Sequence, residues 1–540
     1  MNSHCLQLDE YELSRTSTRT SDGADDPLLY FEHGSDHDEF QSHFLADQTV
    51  SGVAKRGVSS QFISLAPAWL RKQYLPRRPR TRSKRLPRRY ICTPRSFLRK
   101  FALLCYIFFT TIAAIIIVGG VFFPGYTHLP PHYRALRQRA LASETPGRVN
   151  LQHQKVFLAA SIYDKGGKLL GGDWAQNVLE LIQLLGPQNT FLSIYVNDSG
   201  PEAQEALQEL EKRVPCDHTL VFQDHLSIDN LPHIRIHGQE RVKRIEYLAE
   251  VRNRALRPLE GSNTTFDKLL YLNDVVFHPI DAAQLLFSTH TVADGVTDYR
   301  AACAVDFINP FKFYDTFATR DAEGYSMGLP FYPWFAAGGD ETSHQDVLDG
   351  KDAVRVRSCW GGMVAFDARF FQARPGRPEL ITAGNQSPSN LSTPYRFRAE
   401  KDLYWDASEC CLIQADIQNP EPGNSGIYMN PFVRVAYDSR TLSWLGFTRR
   451  FERLYTPIHW LIDLVTNKPK FNPRRHEEPW QEVQETVWIA DERMPPNNGS
   501  FHQVTRIASH AGFCGRRGLA VIKENIMEGE RNWEFVPVPS

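Results

Sequence analysis

The chain has 540 residues, 42% of them apolar, and a formal net charge of −1, which is too long for one ordinary domain and too apolar for a wholly disordered chain. The near-neutral total hides a segregation: residues 1–50 carry eleven acidic and two basic side chains, 71–100 carry thirteen Lys or Arg and no acid, and from 101 on 44 basic side chains face 51 acidic ones. A basic block can mark a nucleic-acid partner, but the stretch that follows this one excludes that reading.

Residues 1–60 are polar and without sustained period, which predicts a disordered tail. Residues 71–100 mix Arg with Pro and are expected to lie extended against anionic headgroups. Residues 101–123, FALLCYIFFTTIAAIIIVGGVFF, contain no charge and are long enough to cross a bilayer with some tilt. They lie too far along the chain for a cleavable signal peptide. Thirteen basic residues in the thirty before the stretch, against four in the twenty-seven after it, put residues 1–100 in the cytosol and the body across the membrane. The expectation is a single-pass type II membrane protein of the secretory pathway, with 124–153 as a luminal stem.

From Lys155 strands and helices alternate. VFLAASIY (156–163) reads as a buried strand, and Asp173 can cap a helix with Trp174, Val178, Leu181, Ile182 and Leu185 on one face. TFLSIYV (190–196), a helix from Pro201 to Arg213, a strand at 218–223 and a helix over 239–256 follow. This alternation predicts a parallel sheet with right-handed crossovers. The run KLLYLNDVVF (268–277) reads as its central strand, buried on both faces. Beyond it, 299–308, 354–366 and 427–437 read as further strands between long aromatic loops, and a helix is expected over roughly 441–466. Six of the nine cysteines and five Asn-x-Ser/Thr sequons (Asn197, Asn263, Asn385, Asn390, Asn498) lie beyond the apolar stretch, where disulfides and glycans are permitted. The disulfide pairing is not readable. No Cys-x-x-Cys pair exists for a structural zinc, and His233 and His237 sit in an alternation, HIRIH, that reads as a strand or loop.

Ligands of open α/β sheets bind at the carboxyl ends of the strands. Asp274 is placed there to hold a divalent cation, unless Asn273-Asp274 merely starts a turn. The glycines at 166, 167, 171 and 172 match neither the dinucleotide nor the P-loop spacing, and no Gly-x-Ser-x-Gly is present, which excludes those nucleotide enzymes and a serine hydrolase. On the 239–256 helix, Arg252 falls on the same face as Ile245, Leu248, Ala249 and Leu256. An inward cation needs a carboxylate partner or an anionic ligand, or it snorkels past the helix edge. Asp406-Ala-Ser-Glu409 is either a capping box or a pair of acids facing the crevice.

SIYDKGG, SIYVNDSG, EYLAEVRNRAL, LLYLNDVVF, RSCWGGMVAFDA and YWDASECCLI, in this order behind a type II anchor, resemble the fungal α-1,3-mannosyltransferases of the capsule-associated protein family, over roughly 154–440. The resemblance implies a GT-A fold, α/β and Rossmann-like, with GDP-mannose as donor, Mn²⁺ or Mg²⁺ as cofactor, a mannose-containing glycan as acceptor and net retention. It implies Asp274 as metal ligand and Asn273 as a donor-site residue; usual GT-A enzymes have two carboxylates there, Asp-x-Asp, and this chain offers Asn273-Asp274-Val275 with one. It further implies Arg252 and Asn253 beside the donor diphosphate, Ser161, Tyr163 and Asp198 at the nucleoside, and Trp360, Gly361 and Gly362 on the sugar side. Glu409 and Asp406 are the candidate catalytic acids. Expected partners are the nucleotide sugar, the acceptor glycan, the Golgi membrane and an assembly with itself or other glycosyltransferases, without nucleic acid; 441–540 is expected as a helical and irregular extension. Two rivals remain: a catalytically silent scaffold, and a glycoside hydrolase using Asp406 and Glu409.

Overall fold

The structure is a computed structural model that describes residues 94–539, apart from 237, 293–294, 373–381, 385–393, 421–422, 470–471, 492–498 and 524–530. The tail and basic block, His237 and the sequons at Asn385, Asn390 and Asn498 therefore lie outside the described residues. The chain divides into two units inside its first described helix, α1 (Pro94–Phe122), at Ile115 and Ile116. Within α1, Leu98–Phe122 is long and apolar enough to cross a membrane, and it is exposed along most of its length. Helix α2 (Pro131–Ala142), in the stretch read as a stem, buries Tyr133, Leu136 and Ala140; Asn430 donates to the Tyr133 hydroxyl at 2.7 Å.

A ten-stranded sheet organises the described body. Strands β1 (Val156–Ile162), β2 (Thr190–Asn197), β3 (Asp217–Gln223) and β4 (Lys268–Leu272) are parallel and lie in the order β3-β2-β1-β4. Helices α3 (Asp173–Leu185), α4 (Pro201–Glu211) and α5 (Arg244–Leu256) join them in turn, as the alternation predicts. Strand β1 is buried on both faces: Phe157 and Ala159 enter one apolar cluster, Val156, Leu158, Ala160 and Ile162 the other. The predicted face of α3 is buried throughout, but its cap differs. Gly172 occupies the N-cap, and Asp173 sits one residue inside, where its charge faces the positive end of the helix dipole.

The other half of the sheet is mixed, which local periodicity does not reveal. After α6 (Pro279–Ser288) come β5 (Ala301–Asn309), β6 (Val354–Ser358), β7 (Met363–Asp367) and β8 (Ile427–Ala436). Strand β7 inserts between β4 and β5, antiparallel to both, β8 runs parallel to β5, and β6 closes against β8 in the antiparallel sense. The run 354–366 is thus two strands, broken at Gly361 and Gly362, whose φ values of +57° and +67° suit glycine. The helix expected from Gln239 begins instead at Arg244. Gln239–Val242 pairs with His233–Ile236 around Gly238, at φ +80°, so cross-strand pairing takes residues whose pattern is also helical. The helix expected over 441–466 is α8 (Ser439–Thr448), a 3₁₀ stretch and α9 (Thr456–Thr466). Disulfides join Cys303 to Cys359 and Cys411 to Cys514, the second tying residues beyond 500 to helix α7 (Glu409–Ile417).

Candidate active site

The strand ends on the β1–β2 side form a cleft. Past β1, the Asp164 carboxylate accepts the backbone N–H groups of Leu169 and Leu170, at 3.0 and 2.9 Å, and so folds the glycine-rich segment into a tight loop. Glycine is required at 167, where a Cβ would stand 2.7 Å from the Glu202 carbonyl. Past β2, Asp198 takes φ +55°; its Oδ2 accepts from the Tyr247 hydroxyl and Asn197 Nδ2, each at 2.6 Å. His225 Nδ1 lies 2.7 Å from Oδ1, and that hydrogen bond raises the imidazole pKa. Tyr163, Asn197, Asp198, Arg244 and Tyr247 line a narrow cleft, closed on its far side by Ile522, Asn532 and Trp533. Tyr163 and Asp198 therefore come together as expected. Ser161 faces elsewhere, its Oγ accepting from the Tyr271 hydroxyl at 3.0 Å.

Helix α5 serves two neighbourhoods. Arg244, Tyr247, Leu248 and Val251 make the stripe that lines the cleft, while Ile245, Ala249, Arg252 and Leu256 pack inward. The inward cation has its partner: Arg252 Nε donates to Glu409 Oε1 at 2.8 Å, with both side chains 4% exposed. Its Nη1 donates to Asn273 Oδ1 at 3.1 Å, and its guanidinium lies 4.5 Å from the centre of the Trp360 ring. Trp360 Nε1 reaches the same Asn273 oxygen at 3.1 Å, the Trp174 indole N–H donates to Asn273 O at 3.0 Å, and Asn273 N–H donates to Gly362 O at 2.9 Å. Four bonds therefore pin Asn273, and Asp274 follows it, 6% exposed, at the end of the central strand.

Several candidates are occupied inside the fold. Asn253 clamps the backbone of Phe397 through both ends of its amide, each at 2.9 Å. Trp360 is fully buried, and the space beside Gly361 and Gly362 is filled by the Ala304 carbonyl and by Val275. Glu409 opens α7 behind the cap residue Ser408, whose Oγ accepts from Cys410 N–H at 3.2 Å; Asp406 is not the cap but pairs in a short strand opposite Arg516. Burial pushes the Asp406 carboxyl upward, against the pull of Lys243, Arg244 and Arg516. Pattern reading missed the buried acids Asp306 and Asp315. Asp315 Oδ2 accepts from Trp360 N–H at 3.0 Å and so shapes the β6–β7 turn.

Residues 155–416, which hold the strand ends, the Arg252 cluster and Glu409, match the model of a family described as cryptococcal mannosyltransferase 1. Over those residues, just under half of its length, the chain is similar to that mannosyltransferase family. An α-1,3-mannosyltransferase of Cryptococcus neoformans is 24% identical over 358 residues, 59% of this chain and 68% of the relative. A mannosyltransferase of Pyrobaculum calidifontis, solved with GDP-Man and Mn²⁺, aligns over 67% of this chain and 87% of its own at 11% identity and a TM-score of 0.28, a likeness too slight to bear weight.

The matched region does not close the cleft by itself, since Ile522, Asn532 and Trp533 lie beyond its end at residue 416. Trp533 is 3% exposed, and its indole N–H has no hydrogen-bond partner among the described residues. Asn197, 6% exposed with Nδ2 bonded to Asp198 and Tyr247, is expected to stay unglycosylated, whereas exposed Asn263 accepts a glycan. Glycopeptide mapping that finds a glycan on Asn197 contradicts the cleft as described. A second expectation concerns pH. Burial, and then Asp315, push Asp306 up to about 7. The folded domain therefore holds a proton that the unfolded chain releases at ordinary carboxylate pH. Its stabilisation is complete below that range and is lost as pH rises through 7. Thermal melts of Asp306→Asn are expected to lose part of the decline that the wild type shows between pH 5 and 8; unchanged slopes reject the assignment.

Proposed function

We propose that this chain is a membrane-anchored GT-A-type enzyme that transfers mannose from GDP-mannose to a hydroxyl of a mannose-containing glycan, with an α-1,3 linkage and net retention. Its body faces the lumen of the secretory pathway, in the Golgi, with residues 1–100 in the cytosol. The observation that carries the reading is the family match over 155–416, which contains the strand-end side of the cleft and the Arg252 cluster.

The nucleoside occupies the cleft, against Tyr163, Tyr247 and Trp533, with Asp198, Arg244 and Asn532 as its polar contacts. Asp274 lies where the diphosphate follows. Arg252, Glu409 and Trp360 are positioning residues: they fix Asn273, and through it the direction of Asp274. Among the described residues no group of three His, Cys, Asp or Glu side chains converges into a cation cage. One hard carboxylate fits a divalent ion whose remaining ligands are donor phosphate oxygens and water, the usual way magnesium-like ions are held. When bound, such an ion offsets charge on the departing diphosphate.

The glycoside hydrolase reading loses its acids. Glu409 is engaged by Arg252, and Asp406 sits among Lys243, Arg244 and Arg516 rather than across a cleft. A silent scaffold remains the second reading, favoured by the single acid at 274. The test is a donor screen with the full chain and Mn²⁺, following release of nucleotide. GDP release from GDP-mannose on adding a mannose glycan is expected, and Trp533→Phe, which keeps a ring but removes the N–H, raises the donor KM about tenfold with kcat little changed. No nucleotide release from any sugar donor favours the scaffold.

A further inference from the structure

Helix α9 is built inside out. The side chains it buries are His459 and Asp463, 0% and 6% exposed, with Nδ1 and Oδ2 2.9 Å apart. The side chains it presents outward are Ile458, Trp460, Leu461, Leu464 and Val465, each 52–77% exposed. A water-facing helix has the opposite pattern. Helix α8 adds Trp444 and Phe447, about half exposed. This surface continues into the end of α1, from Ile116 onward, where Ile117, Val121 and Phe122 are 59–70% exposed.

The junction is close. Gly119 and Gly120 of α1 lie against Leu454 and Phe451, in the 3₁₀ stretch between α8 and α9; a Cβ on Gly119 would stand 2.6 Å from Leu454 Cδ2. Arg450 Nη1 donates to the Gly120 carbonyl at 3.4 Å. Charge is sorted in the same sense. The two acids of residues 439–466, Glu452 and Asp463, are both buried, while Arg440 and Arg450 are exposed. An apolar face with tryptophans at its level, basic residues around it and no exposed acid is the pattern of a helix lying in the headgroup–acyl boundary of a bilayer.

We infer that α8 and α9 lie in the lipid interface beside the end of α1, so that the catalytic body is seated on the membrane surface rather than held away from it on a tether. The occupant of this surface is lipid, because it continues the outer face of the one described helix suited to crossing a bilayer. The inference rests on α1 crossing the membrane, which the same experiment reads separately.

The full-length chain is reconstituted, one copy per disc and with a tryptophan-free scaffold as the one other protein, into nanodiscs of ordinary or brominated-acyl lipids. Co-elution with the discs reports the anchor. Residues 94–122 contain no tryptophan, so that helix itself contributes nothing to quenching. Brominated chains are expected to quench part of the wild-type tryptophan fluorescence, and Trp444→Phe/Trp460→Phe, which keeps both positions apolar, is expected to lose most of that quenching. Equal quenching in wild type and double variant overturns the inference. Absence of quenching in a chain that co-elutes also overturns it, and assigns the surface to a protein, whether a second copy or another enzyme. A chain that does not enter the discs removes the anchor and this inference together, leaving the donor screen untouched.

Discussion

Replacing Glu409 by Ala is expected to abolish mannosyl transfer and to destabilise the domain by about 3–5 kcal/mol, because it strands a buried guanidinium. Arg252 is 4% exposed, with Tyr271, Trp360 and Phe397 rings within 5.9 Å of its guanidinium carbon. A buried ion pair is costly to break but not costly to replace by apolar groups of similar volume. The double variant Arg252→Met/Glu409→Leu is therefore expected to recover most of the melting temperature. It should not recover transfer in full, because Asn273 Oδ1 then keeps only the Trp360 donor and the strand end beside Asp274 is held less firmly. Melting curves and GDP release on the single and double variants separate the two roles. A double variant that is stable and fully active makes the pair purely structural.

Asp274→Asn is expected to lower turnover by two to three orders of magnitude or more, roughly the effect of removing an electrostatic contact made chiefly in the transition state. The melting temperature should stay near wild type, since the substitution keeps shape and the strand end is held by Asn273. Added Mn²⁺ should not rescue it, because the lost carboxylate is the only acid of the Asn273-Asp274-Val275 run. Turnover at the wild-type rate would sink the cation assignment and leave the strand-end acid as a turn residue.

How far the chain could be read without its fold depends on the range over which each feature is determined. The apolar span, the first four strands, the buried face of α3 and the inward direction of Arg252 follow from periodicity over ten to twenty residues, and the structure bears them out. The hairpin at 233–242 was not legible because Gln239–Val242 suits a helix as well as an edge pair, and the partner strand made the choice. The insertion of β7 between β4 and β5, and the break at Gly361 and Gly362, depend on which strand arrives beside which.

By itself, the order of residues determined a stretch long and apolar enough to span a membrane, an α/β body, a cation that had to be paired and an acid at the end of the central strand. Each of these is a statement about near neighbours, set by side-chain period and by the impossibility of burying a lone charge. Only the tertiary structure decided that the partner of Arg252 is Glu409, 157 residues away, that Trp533 closes a cleft opened by Tyr163 and Asp198, and that α9 turns its leucines outward. Those are contacts between distant segments, and a pattern with no partner in view does not say which surface will meet it.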